Sequence, residues 1–137
     1  MNTGSDGKRY SETMIRARYA KALKEKHQGN GPPMCEAYPN ERAIHNDHTI
    51  SQKRCKQLHK TELIWNPDNF VSSSARAHTE WEAIKGGEWI HHANCEQRLA
   101  FLKEHDPEGF ESRIHLVQLS LQQRENVNIE HNHAPTS

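Results

Sequence analysis

The residues predict an α+β protein of a single domain, on three observations. Five segments rich in helix formers place apolar residues at three- and four-residue intervals. Two short apolar stretches, around 42–50 and at 62–65, end in turn signals and are too brief for helices of their own. Only 33% of the 137 residues are apolar and 7% aromatic, which gives a modest core and no comfortable room for a second domain.

The elements follow in order. Residues 1–10 are polar and contain two glycines, and are expected to be flexible. Ser11 suits a helix N-cap, and 11–27 repeats Met14, Tyr19 and Leu23 along a narrow apolar stripe with basic residues around it. The Gly- and Pro-rich run 28–33 stops that helix. Ile44, Thr49 and Ile50 mark a short strand within 42–50, and 51–60 reads as a basic helix. Leu63, Ile64 and Trp65 form the second apolar run, closed by Asn66-Pro67-Asp68. Residues 72–84 read as a helix ended by Gly86-Gly87, 88–105 as another, and 113–123 as the last, with 106–109 as the break between them. The organisation expected is thus 1–10 flexible, 11–87 a domain opened by a basic helix, 88–123 a C-terminal helical extension and 124–137 a flexible tail.

Charge is zero overall but unevenly spread. Residues 1–60 carry twelve Lys/Arg against six Asp/Glu, and residues 61–137 carry six against twelve. The first half therefore offers the local positive potential that a phosphate backbone requires. No apolar run reaches the ~20 residues of a membrane span and no signal-peptide pattern opens the chain, so no membrane partner and an intracellular, cytoplasmic setting are expected. Cys35, Cys55 and Cys95 form no CxxC pair and read as reduced thiols.

Chemistry concentrates between His45 and Trp81. Asp47-His48 ends the first strand-like segment, Asn69 follows a Pro-Asp turn, and His78 lies nine residues further on. That set suits phosphodiester hydrolysis. An imidazole near its ordinary pKa takes a proton from water at pH 7. A neighbouring carboxylate and a second ligand from a following helix hold a cation that offsets phosphate charge.

The pattern resembles the HNH endonuclease family, whose fold is the ββα-metal finger. Ile50 after the Asp-His pair, Pro67-Asp68 before the Asn, Phe70-Val71 after it and Trp81-Glu82 beyond the last His agree with the family motif. The resemblance covers residues 14–85, and the basic helix followed by Met34-Cys35-Glu36 is similar to small phage and mobile-element members, whose setting is the host cytoplasm. It implies a ββα finger flanked by the N-terminal basic helix and the C-terminal helices. It implies His48 as general base, Asp47 and His78 as metal ligands, and Asn69 as the residue that pins the loop. Magnesium or manganese is the implied cation, with nickel or zinc accepted in vitro. Two departures stand out. Tyr38 occupies the position where Cys35 would find a partner, and 75–77 offers no cysteine, so no structural zinc is expected. The gap from His48 to Asn69 is longer than in compact members and contains the basic segment 53–60.

The partner implied is duplex DNA, nicked or cleaved by hydrolysis, with RNA left open by the site chemistry. Arg54 is the residue expected to clamp a phosphate, since a guanidinium binds two oxygens at once. Lys53, Arg16, Arg18, Lys21 and Lys24 are further phosphate contacts. His45 lies close enough in sequence to assist a phosphate. His91, His92 and Cys95 with Cys35 or Cys55 make a soft-metal alternative that no spacing compels. Trp65, Trp81 and Trp89 are expected core anchors. The rival reading is a non-catalytic DNA-binding or assembly module that keeps the finger as scaffold. Two copies joined through the C-terminal helices would serve a symmetric double-strand cut.

Overall fold

Three serines start three helices. Ser11, Ser51 and Ser74 each accept a hydrogen bond on the side-chain oxygen from the backbone N–H three residues on, which satisfies an otherwise orphaned donor. They open α1 (Glu12–His27), α2 (Gln52–Gln57) and α3 (Ala75–Glu82). The computed structural model describes residues 2–28 and 33–132, without the side chains of 120, 121 and 124–132; residues 29–32 of the expected helix stop and residues 133–137 of the expected tail lie outside the described residues.

The fold is α+β, with five helices and two small antiparallel sheets among the described residues. β1 (Asn2–Thr3) pairs with β2 (Arg9–Tyr10) ahead of α1. β3 (His45–His48) pairs with β4 (Phe70–Ser73), which places Asp47 opposite Val71 and His48 opposite Phe70. Between them run α2 and a 3₁₀ turn, Thr61–Trp65. α3 follows β4 directly. Two 3₁₀ turns (Ile84–Gly86 and Glu88–His91), α4 (Cys95–His105) and α5 (Pro107–Asn132) complete the chain. No described helix is long and apolar enough to cross a membrane.

Two apolar clusters hold these elements. Tyr10, Ile15, Ile50, Cys55, Leu63, Ile64, Phe101 and Leu102 bury one core under α1 and α2. Trp81, Trp89, Cys95 and Val117 form the other, between α3, α4 and α5. Phe101 and Leu102 of α4, from the segment expected as a C-terminal extension, complete the first core.

The N-terminus departs from expectation, since residues 2–10 fold as a hairpin whose turn uses Gly7 at φ 84°. Thr61 Oγ1 donates to the Thr3 carbonyl at 2.8 Å, Glu62 accepts from the Ser5 N–H, and Tyr10 meets Trp65 edge-on at 5.0 Å. These partners lie more than fifty residues away, beyond the reach of local pattern.

The expected helix over 88–105 is instead interrupted. The Ala93 N–H bonds the Ala37 carbonyl, and His92 is drawn to Glu80, so α4 starts only at Cys95. Asp106-Pro107, read as a break, ends α4 and immediately begins α5. The Asp106 N–H bonds the Leu102 carbonyl, its side chain accepts from the Gly109 N–H at 3.1 Å, and Pro107 takes the first helical position, where no N–H is needed. α5 then continues to Asn132, through most of the segment expected to be a tail.

Candidate metal centre

β3 presents four polar residues in succession, and strand alternation sends His45 and Asp47 to one face, Asn46 and His48 to the other. On the first face Asp47 Oδ1 and His78 Nδ1 are hydrogen-bonded at 2.7 Å. The His45 ring stacks on the His78 ring with centroids 4.3 Å apart and planes 23° apart. On the second face Asn46 Oδ1 meets His27 Nε2 at 3.2 Å, and His48 packs beside Tyr19 and Phe70.

His78 arrives from the end of the first turn of α3, whose start is fixed by the Ser74 cap. His45, Asp47 and His78 each offer one ligand atom, all within 4.8 Å of one another, and so form a group able to hold a metal ion. Asp47 is 8% exposed, and its Oδ2 is buried without a hydrogen-bond partner among the described residues. Leaving such an oxygen unpaired costs about 1–3 kcal/mol. A cation at this point would offset that cost, and the mixed imidazole–carboxylate donor set fits a divalent metal.

His48 is oriented from behind. Its Nε2 lies 2.8 Å from the Ile64 carbonyl, at the 3₁₀ turn Thr61–Trp65. A carbonyl only accepts, so Nε2 carries the proton and Nδ1 keeps the lone pair. Burial pushes this imidazole below its ordinary 6.5, which favours the neutral form.

Asn69 joins the two segments that carry His48 and Ile64. It is fully buried. Its Oδ1 accepts from the Ile50 N–H at 2.7 Å, and its Nδ2 donates to the Ile50 carbonyl at 3.0 Å and the Leu63 carbonyl at 2.9 Å. Its own carbonyl accepts from the Thr49 N–H at 2.7 Å. One side chain thus fixes the end of β3 against the turn that orients the imidazole.

Arg98 of α4 backs the same strand. Its Nε donates to Thr49 Oγ1 at 2.9 Å, and a second nitrogen lies 3.4 Å from the His48 carbonyl. Its guanidinium sits 3.6 Å from the centre of the Trp81 ring, and that of Arg113 sits 3.7 Å from the same centre. Two groups so close must take opposite faces of the indole. Burial pushes Arg98 down to about 9, which leaves it charged at neutral pH.

Asp47, His48, Asn69 and His78 therefore lie together around β3 and β4. Arg54, about one-third exposed, does not hold its fork free as the expected phosphate clamp. Its Nε and one terminal nitrogen donate to the two oxygens of Asp106, both at 2.9 Å, which ties α2 to the start of α5. A fork closed on a carboxylate is not offered to phosphate. Arg16, Arg18, Lys21 and Lys24 lie exposed along α1 and Lys53 is exposed on α2; Arg18 also rests over Tyr10 and Trp65. Arg18, Lys21 and Lys26 border a groove of about 430 Å³ floored by Trp65 and Pro67. Trp81 and Trp89 are core residues, whereas Trp65 is only partly buried. The soft-metal alternative is not assembled, since Cys35, Cys55 and Cys95 lie in three different clusters and His92 is tied to Glu80.

Sequence reasoning took His45 only as an aid to phosphate, although position i−2 of a strand shares a face with Asp47. The Ile64 carbonyl and the Tyr19 ring had no signal. Comparison with known protein families, curated proteins and solved structures finds no match to this chain.

Proposed function

We propose that the protein is a divalent-metal-dependent endonuclease of the HNH type that hydrolyses phosphodiester bonds in DNA. The observation that carries this reading is the arrangement around β3: an Asp47–His78 pair beside a His48 imidazole whose Nε2–H is committed to the Ile64 carbonyl. The succession β3, β4, α3 supports the ββα finger that the sequence resemblance implies.

A bound dication would supply charge neutralisation at the phosphate and at the departing 3′-oxygen. Asp47 and His78 are the residues that would hold it. His48 Nδ1 takes a proton from the attacking water, whose oxygen bonds to phosphorus as the bond from phosphorus to the 3′-oxygen breaks. The 3′-oxygen leaves with a proton from solvent. Asp47 and His48 face opposite sides of one strand, so the scissile phosphate must lie across it to meet both. Asn69 and Ile64 keep the imidazole in its tautomer and place. The exposed cations of α1 and Lys53 provide the positive track for the flanking backbone.

The reading is tested by incubating supercoiled plasmid with the protein and magnesium, manganese or zinc, against a chelator. Conversion to nicked or linear DNA that the chelator abolishes supports it. Folded protein that retards DNA without cutting under any metal would leave the binding-module reading instead.

A further inference from the structure

We propose that His45 is a third protein ligand to the metal, and that the resulting His–Asp–His face selects a borderline first-row dication such as zinc over magnesium. The inference rests on the metal-binding part of the reading above and on nothing about cleavage.

Three observations lead there. The ligand atoms of His45, Asp47 and His78 lie within 4.8 Å of one another, and they come from only two elements, β3 and α3. Bond lengths of about 2.0–2.2 Å place two donors on one ion ~3 Å apart, so small side-chain rotations close the set. The His45 and His78 rings are already stacked, so both imidazoles approach Asp47 from one side. Asp47, more than nine-tenths buried, carries an oxygen with no partner among the described residues. That oxygen is a donor the described residues leave unused, although the Arg98 charge also acts on Asp47.

The donor set then determines which ion. Magnesium favours an oxygen environment close to octahedral and keeps several waters, whereas imidazole favours zinc, nickel and related ions. Two imidazoles and one carboxylate are a poor match for magnesium and a good one for zinc. Three protein ligands also leave a coordination position open, as a catalytic site requires and a structural one does not. In this arrangement His45 does not contact phosphate; it helps determine which metal the site holds.

The test measures metal binding without DNA. Metal-free protein is titrated calorimetrically with zinc and with magnesium, and the absorption spectrum of the cobalt-loaded protein is recorded. His45→Ala and His45→Gln are compared with wild type, with thermal melts to check folding. His91→Ala, which removes an exposed histidine elsewhere, serves as the control. Altering even an outer-sphere partner of a metal ligand costs about 10–100-fold in affinity. Loss of a direct ligand should therefore weaken zinc by about 100-fold or more and change the cobalt spectrum, with His91→Ala unaffected. Zinc should bind wild type at least about 100-fold more tightly than magnesium. Unchanged zinc affinity and an unchanged cobalt spectrum in both folded His45 variants would overturn the assignment. Magnesium within tenfold of zinc would overturn the selectivity. Absence of zinc binding to folded wild type would overturn both. Zinc binding as stated in a protein that cuts no DNA would sink the nuclease reading and leave this inference standing.

Discussion

Single side chains hold the site together, and Asn69 does more of this than its size suggests. Its amide makes three buried hydrogen bonds to the main chain at Ile50 and Leu63, and alanine would leave those groups dry. Asn69→Ala is expected to lower stability by about 3 kcal/mol, since each buried group left unsatisfied costs ~1–3 kcal/mol and some will admit water. Denaturant unfolding measures this. Asn69→Asp should not restore stability, because a carboxylate accepts but cannot donate to the Ile50 and Leu63 carbonyls. At this scale the site was partly legible. Asp47, His48, Asn69 and His78 stood out by spacing, and the structure brings them together. The Ile64 carbonyl was invisible, because any residue supplies a carbonyl. For Arg54 the sequence shows a guanidinium without showing that the Asp106 carboxylate claims it.

At the scale of elements, the connection from α2 to α5 is the feature to test. Arg54 makes two bonds to the carboxylate of Asp106, which is 4% exposed at its side chain, while Arg54 itself is about one-third exposed. Solvent screening at Arg54 moderates the contribution, so Arg54→Ala should cost about 1–2 kcal/mol at neutral pH. The Arg54 bonds hold Asp106 below its ordinary 3.8. A carboxylate whose folded pKa is depressed stabilises the fold fully above its unfolded value and loses that contribution as pH falls through the folded one. The gap between wild type and Arg54→Ala in thermal unfolding should therefore be constant from pH 7 to about 5 and narrow below 3.8. DNA affinity, if the ion pair is Arg54's main role, should change little in the same variant.

A second element-level device closes α2. The Lys60 N–H bonds the Cys55 carbonyl and the His59 N–H bonds the Lys56 carbonyl, with His59 left-handed at φ 56°. That is a Schellman cap with histidine where glycine is favoured. His59→Gly should raise stability by about 0.5–1 kcal/mol, the relief of the left-handed conformation less the added freedom of the unfolded chain, read as a higher melting temperature.

Over the whole molecule, the α+β class and the positions of most helices were legible because periodicity, serine caps and turn residues are local. The joints were not. The N-terminal hairpin depends on Thr61 and Glu62, the split before α4 depends on Ala37 and Glu80, and the first core needs Phe101 and Leu102 from what had read as an extension. Each is a contact between segments far apart in sequence. The consequence for function is that α4 supports the site strand through Arg98, so the candidate site belongs to the whole chain and not to its first 87 residues. The proposed role of His48, base of a metal-dependent nuclease, is tested by the rate of plasmid relaxation for His48→Ala beside wild type. Both proteins should carry the same metal and bind DNA equally. General-base catalysis contributes roughly 10²–10⁴-fold, so a loss of at least about 100-fold in rate is expected with DNA binding retained. A folded His48→Ala variant that relaxes plasmid at the wild-type rate would contradict it.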